Sequence, residues 1–117
     1  MTFSEAIFTC MQKYADFNGR ARRSEYWWFV LFQVLVAVGL TLAPAVGISE
    51  LVAVGAALLF DLAMLIPSIA VAARRLHDVN RSGWWQLIAL TIIGLIPLLI
   101  WLCTPGDPQP NEYGPPV

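Results

Sequence analysis

LVAVGAALLFDLAMLIPSIAVAA, residues Leu51–Ala73, carries one charged side chain, Asp61, and runs directly into Arg74-Arg75. A helix rises about 1.5 Å per residue and a bilayer's hydrocarbon core is about 30 Å thick, so roughly 20 apolar residues cross it. This stretch is long enough. In hydrocarbon no water satisfies backbone N–H and C=O groups, so a lone crossing segment must be helical.

Two similar stretches flank it. One runs over Tyr26–Ala43 and stops at Pro44; the other runs over Trp84–Cys103. The composition agrees. The 117 residues are 58% hydrophobic and 13% charged, whereas soluble domains are about half apolar and about a quarter charged. One domain of this length has too little interior to hide the excess.

The expected fold is an all-α membrane protein forming one domain over residues 1–117, with transmembrane helices over 26–43, 51–73 and 84–103. The connection Pro44–Glu50 has no Lys or Arg, while Arg74–Gly83 has three arginines. Short connections make successive helices antiparallel neighbours. All seven basic residues (Lys13, Arg20, Arg22, Arg23, Arg74, Arg75 and Arg81) precede the first stretch or separate the second from the third. The positive-inside rule places that side in the cytoplasm. Three crossings then leave the N-terminus inside and the tail, 104–117, outside. The tail is rich in proline and carries Asp107 and Glu112, which predicts turns or extended chain.

Ahead of the first stretch, Phe3, Ile7, Cys10 or Met11, and Tyr14 recur at helical spacing, opposite Glu5, Gln12, Lys13 and Asp16. This predicts an amphipathic helix over 3–17, with Ser4 as its N-cap. It lies in the cytoplasmic interface or packs on the bundle, and the two placements are compatible. No cleavable signal peptide is expected, because Met1–Tyr14 lacks a basic region followed by an apolar one.

Several function classes recede. A net charge of −1 without a basic array argues against nucleic-acid binding. Cys10 and Cys103 show no paired spacing, and His77 is the single histidine, so no metal site or cofactor is expected. The three-span arrangement puts the two cysteines on opposite faces, so a bridge within one chain is not expected.

Two segments carry the candidate chemistry: Gly19-Arg20-Ala21-Arg22-Arg23-Ser24-Glu25-Tyr26-Trp27-Trp28, and Arg74-Arg75-Leu76-His77-Asp78-Val79-Asn80-Arg81-Ser82-Gly83-Trp84-Trp85. Both contain Arg, Ser, any residue, Tyr or Trp, then Trp. Serine caps helix starts, Trp and Tyr prefer the headgroup level, and Arg pairs with lipid phosphate. Two similar bilayer entrances account for that much. They do not call for His77, Asp78, Asn80 and Gly83. If the segments meet, six arginines join Glu25, His77 and Asp78 in one constellation. Part of the charge locks the bundle through Arg–carboxylate pairs, and the positive excess faces an anionic lipid headgroup or an acidic partner. His77 beside Asp78 is weak support for acid–base catalysis, since adjacent helical side chains point about 100° apart.

Asp61 stands near the middle of the second stretch. A carboxylate there costs about 2.5–3.5 kcal/mol on insertion scales, so it is expected to face protein or water. It is either an ion or proton site or a protonated, hydrogen-bonded side chain near Thr41 or the Gly94 backbone. Pro67 and Pro97 are expected to kink their helices. Ala53 with Ala57, and Ser68 with Ala72, are spacings that allow close helix approach.

Phe17, Gly19-Arg20, Arg22-Arg23, Ser24-Glu25-Tyr26-Trp27, Arg74-Arg75-Leu76-His77-Asp78, Arg81-Ser82-Gly83-Trp84-Trp85, Asn111 and Tyr113-Gly114-Pro115 together resemble the domain of unknown function 805 family of small bacterial inner-membrane proteins. The likeness spans nearly the whole chain. Glu112 and Pro116 depart from the family's usual tail, where a basic and an acidic residue are common. Asp61 lies outside the family's motifs. The resemblance implies a bacterial inner membrane and brings no established activity, cofactor or substrate.

The functional expectation is a non-enzymatic module at the cytoplasmic face. Its binding residues are Arg20, Arg22, Arg23, Glu25, Arg74, Arg75, His77, Asp78, Arg81 and Trp84, and its partners are anionic phospholipid, a membrane protein or a second copy. The alternatives are a small oligomeric transporter or ion conductor using Asp61, and a membrane enzyme acting on a lipid head group through His77 and Asp78. Three helices enclose too little for a pathway, so the transporter reading requires self-association.

Overall fold

Two long helices carry half of the apolar residues in the computed structural model, which describes residues 1–117. Helix α2 covers Arg23–Leu42 and helix α3 covers Glu50–Asp78. Both are long and apolar enough to cross a membrane. Their outward faces stay apolar: Leu35, Val38, Leu42, Leu51, Leu59 and Leu62 are all exposed. Helices that are hydrophobic all round suit hydrocarbon rather than water. There is no β-strand, only an isolated bridge between Asn111 and Gly114.

A short 3₁₀ turn, Ala43–Val46, joins α2 to α3. Gly47 ends it at φ 95° and donates its N–H to the Pro44 carbonyl at 3.2 Å. Glycine takes this left-handed conformation without a Cβ penalty. The antiparallel pair is pinned at several levels. The Ser68 hydroxyl donates to Gln33 Oε1 at 3.1 Å, and the Phe32 and Phe60 rings meet edge to face at 5.7 Å.

Helix α1 is shorter than expected, covering Phe3–Gln12. Thr2, not Ser4, is its N-cap and accepts the Glu5 N–H at 3.3 Å. The helix packs on the pair: Ala6 and Cys10 are buried, with Cys10 against Ala21, Phe29 and Val71. Phe3 meets Trp28 at 5.7 Å, and the Trp28 indole N–H donates to the Met1 carbonyl at 3.0 Å. Beyond α1, the Tyr14 hydroxyl donates to the Ala63 carbonyl. Pro67, one turn further along α3, has no N–H to offer that carbonyl, so tyrosine replaces the missing helical bond.

The third apolar stretch departs from expectation. Trp84–Cys103 is not one helix. A 3₁₀ segment, Gly83–Leu90, is followed by a turn and then by helix α4, Leu95–Cys103. The turn has local causes. The Thr91 hydroxyl donates to the Ile88 carbonyl at 2.8 Å and accepts the Gly94 N–H at 3.0 Å. Any Cβ at Gly94 would lie 2.1 Å from the Ile88 oxygen. Pro97 falls in the first turn of α4, where its missing N–H is not needed, rather than kinking a longer helix. The two limbs fold together as a hairpin, with Trp85 and Trp101 rings 5.5 Å apart and Ile88 packed on Leu76, Leu98 and Leu102.

The tail therefore begins where the hairpin began. The Asp107 N–H donates to the Asp78 carbonyl at 2.7 Å, at the end of α3. Residues 104–117 lie beside the arginines, not across from them. The cysteines follow: both are free, Cys10 lies against Ala21 and Phe29, and the Cys103 carbonyl accepts from Arg23 at 3.2 Å. They share one end of the molecule instead of occupying opposite faces.

Candidate functional site

The start of α2, the end of α3 and the tail converge. Helix geometry brings Arg74, Arg75 and Asp78 to one end, and the segment before α2 passes alongside, where the Ala21 N–H donates to the Arg74 carbonyl at 2.9 Å. Arg20, Glu25, Arg74, Arg75 and Asp78 are all buried. Buried charges are tolerated only where partners replace water.

Arg20 meets that condition fully. Its Nε donates to Asp78 Oδ1 at 2.9 Å. Nη1 donates to the carbonyls of Gln109 at 3.0 Å and Gly114 at 3.3 Å. Nη2 donates to the carbonyls of Asp78 at 3.3 Å and Asp107. A guanidinium has five N–H donors, and all five are used. Arg75 donates from Nη1 to Asp78 Oδ2 at 2.9 Å, from Nε to the Leu102 carbonyl at 3.2 Å, and from Nη2 to the Thr104 carbonyl. Asp78 thus bridges two arginines, one oxygen to each.

Arg74 and Glu25 form a second pair at 2.7 Å, and Arg74 Nε donates to the Asp16 carbonyl at 3.1 Å. Arg74 Nη2 is buried without a hydrogen-bond partner. The neighbouring Cys10 thiol is pushed up to about 12 by burial and then by the Glu25 carboxylate.

His77 and Asp78 do not form a dyad. The His77 Nδ1–H donates to the Gly19 carbonyl at 2.9 Å, which leaves Nε2 as the acceptor of the neutral ring. Its ring stacks on Tyr113 at 4.0 Å between centroids, with planes 1° apart. The Asn111 amide donates to the His77 carbonyl at 3.0 Å. A tight turn holds these groups: Asn111 and Gly114 exchange two backbone bonds of 3.1 Å, and Gly114 sits at φ 127°. Asn111, Tyr113 and Gly114 thereby act as a latch on the arginine segments. Sequence reasoning missed this because it put the tail on the other side of the bilayer.

Of the ten expected binding residues, six form this internal lock: Arg20, Glu25, Arg74, Arg75, His77 and Asp78. Arg81 stacks over Trp101, 4.7 Å from the ring centroid, and Trp84 is exposed beside the base of the hairpin. Ser82 caps the 3₁₀ segment as expected, accepting the Trp84 N–H at 3.3 Å. Ser24 does not cap α2; Arg22 occupies that position and makes no side-chain cap bond.

Arg22 and Arg23 remain outside the lock and are exposed. They line a cleft of about 910 Å³ between the start of α2 and the tail. Trp27, Trp28 and Leu31 form its apolar wall, while Gly106, Asp107 and Pro108 form the opposite side. Both indole N–H groups are already spent, Trp27's on the Leu102 carbonyl at 3.1 Å and Trp28's on Met1. The cleft thus joins cationic and apolar surface. A smaller cavity of about 300 Å³ is lined half by Phe17, Ile69, Ala73 and Trp84 and half by His77, Ser82, Gly83 and Gln86.

Asp61 is exposed on α3 and makes no hydrogen bond or ion pair. Neither expected neighbour reaches it: the Thr41 hydroxyl donates to the Ala37 carbonyl at 2.8 Å, and the Gly94 N–H goes to Thr91. Within this chain it faces no protein partner.

The chain resembles known proteins over nearly its whole length. A family model described as "Protein of unknown function (DUF805)" matches residues 14–115. The inner membrane protein YhaI of Escherichia coli (strain K12) is 39% identical over 105 residues, covering 89% of this chain and 87% of the relative. The inner membrane protein YhaH of the same strain is 36% identical over 109 residues, covering 90% and 89%. No solved structure matches the chain at a significant level.

Proposed function

From the premise that this chain belongs to the DUF805 family, whose relatives above are inner membrane proteins, we propose that it is a non-enzymatic module that binds anionic phospholipid at the cytoplasmic face. The cleft between the start of α2 and the tail carries this reading. Arg22 and Arg23 line it with most of their donors free; they do not outnumber the acids there, Asp78 and Asp107, but they stand exposed while Asp78 is spent on the lock, and Trp28 and Leu31 follow on α2. A headgroup phosphate suits the two guanidiniums, and the acyl chains suit the apolar wall. The uncapped start of α2 adds N–H groups and the positive end of the helix dipole.

The orientation belongs to the same proposal. All seven basic residues sit at one end, and the Ala43–Glu50 end has none. The positive-inside rule makes the arginine end cytoplasmic.

Native mass spectrometry of the gently extracted protein tests the binding. Wild-type protein should retain phosphatidylglycerol or cardiolipin. Each basic residue near the surface is worth about 1 kcal/mol toward anionic lipid, so replacing Arg22 and Arg23 with Gln should weaken retention by about thirtyfold. Arg81→Gln, which alters a side chain outside the cleft and stacked on Trp101, should weaken retention by no more than about fivefold, the share of one basic residue near the surface. Equal lipid retention in the double variant would remove the cleft as the site.

A second reading keeps Asp61 as the working group of a small oligomeric transporter. Its support is the unpaired carboxylate on the exposed face of α3. Liposome flux that is absent, or unaltered by Asp61→Asn, would sink it.

A further inference from the structure

The hairpin of residues 83–103 is too short to cross a bilayer and too apolar to lie in water. Its first limb has eight residues and α4 has nine. At about 2.0 Å per 3₁₀ residue and 1.5 Å per α residue, the limbs reach roughly 16 and 13 Å, about half of a hydrocarbon core. No charged residue occurs between Arg81 and Asp107. The tip is bare, with Leu90, Ile92 and Ile93 exposed by 87%, 87% and 83%.

The base sits at the charged end. Arg75 donates to the Leu102 and Thr104 carbonyls at the end of α4, and at Gly83, the start of the other limb, an added Cβ would lie 2.7 Å from the Cβ of Ala73 on α3. Trp84, Trp85 and Trp101, with Arg81 over Trp101, ring this base. Tryptophan and arginine favour the headgroup level, so the base marks the interface and the tip points into hydrocarbon. Part of the tip's backbone is prepared for that medium. The N–H groups of Thr91, Gly94, Leu95 and Ile96 donate within the hairpin, while those of Ile92 and Ile93 have no partner in the chain. Internal partners lower the cost of irregular backbone at membrane depth.

We infer that residues 83–103 form a re-entrant wedge whose partner is the acyl-chain layer of a single leaflet, the one on the arginine side, so that both ends of the chain lie on one side of the membrane. Calling that side cytoplasmic rests on the orientation proposed above; the shared side does not. The exposed tip continues the lipid-facing surface of α2 and α3. A wedge in one leaflet spreads that leaflet's lipids while leaving the other undisturbed, which suits a protein that gathers lipid beside its own cleft.

The test uses full-length protein in Cys103→Ser, since Cys10 is buried and unreactive. Ile93→Cys, and separately Leu90→Cys, carries a bimane in vesicles of phosphatidylethanolamine and phosphatidylglycerol with nitroxides at fixed acyl depths. Ser4→Cys and Val117→Cys are probed with an impermeant maleimide in right-side-out and inverted membrane vesicles. The expected result is several-fold stronger quenching of the tip by mid-chain nitroxides than by headgroup nitroxides, with Ser4→Cys and Val117→Cys both labelled in inverted or both in right-side-out vesicles. Labelling of the two ends in opposite vesicle types would establish a third crossing and overturn the inference. Aqueous labelling of the tip from either face would overturn it too. So would a disulfide between tips of two copies with loss of lipid quenching, because a second copy would then cover the tip.

Discussion

Asp78 accepts from Arg20 through one carboxylate oxygen and from Arg75 through the other, each at 2.9 Å, although Arg20 lies 58 residues away in sequence. One carboxylate thus ties together the segment before α2, the end of α3 and, through both guanidiniums, the tail.

Removing that carboxylate should be severe. Asp78→Asn leaves two buried guanidiniums facing a neutral amide, and breaking a buried ion pair by removing one partner costs about 3–5 kcal/mol. A large fall in the thermal midpoint, followed by tryptophan fluorescence in detergent, is the expected outcome. Arg20→Lys should not rescue it and should itself destabilise, since three rotating donors cannot serve five fixed acceptors. A melting curve like the wild type's for either variant would dismantle the lock.

Gly106 lies so close to Asp78 that an added Cβ would sit 2.0 Å from its Oδ2. Gly106→Ala should lift the tail at a cost of about 1–3 kcal/mol, the usual range for overpacking. Limited proteolysis should then cut within residues 104–117 while α2 and α3 survive. A tail as resistant as the wild type's would mean that the contact yields without cost.

Tyr14 and Pro67 should be coupled through the Ala63 carbonyl. Tyr14→Phe leaves that carbonyl unpaired and should cost about 1 kcal/mol. In a Pro67→Ala background the new N–H at position 67 can close the helical bond, so Tyr14→Phe should cost much less. A double-mutant cycle in detergent measures the difference. Costs that simply add would show that the tyrosine is not compensating for the proline.

The cysteines should differ in reactivity. Cys10 is fully buried, and its thiol is pushed up to about 12, chiefly by burial. At pH 8 it should resist maleimide in folded protein and react once the protein is denatured in SDS, while exposed Cys103 reacts at once. The sign for stability follows. A thiol raised in the folded state gives its full contribution below the ordinary thiol value and loses it as pH rises toward about 12. Stability should therefore decline through that window, and Cys10→Ala should flatten the decline. Rapid labelling of Cys10 in folded protein would contradict its packing.

The sequence announces α2 and α3 because crossing a membrane requires only length and apolarity, and Tyr26–Ala43 and Leu51–Ala73 have both. Apolarity alone does not separate a crossing from a hairpin. The break in Trp84–Cys103 depends on the Thr91 hydroxyl and on the absence of a side chain at Gly94, signals that also occur inside unbroken membrane helices. The charge constellation was legible as well, since both arginine segments precede apolar stretches on the same side. Which arginines are consumed was not legible. That depends on carbonyls of the tail, and the tail was placed across the membrane by counting three crossings. Arg20, Arg74 and Arg75 look like Arg22 and Arg23 in sequence; their partners separate them.

Arg20 and Arg75 read the tail through main-chain oxygens, those of Thr104, Asp107, Gln109 and Gly114. Every residue type supplies such an oxygen. The tail's grip is therefore indifferent to most of its spelling and sensitive to its length and bends. Substitutions at Thr104 or Gln109 should pass unnoticed, whereas a stop before Gly114 strips an acceptor from Arg20, and one before Thr104 strips acceptors from two interior cations at once. Those oxygens also leave the ribosome long after Arg20. Arg20 must wait while some ninety further residues are made, so this end of the protein closes only after the turn at Asn111–Gly114 has been synthesised.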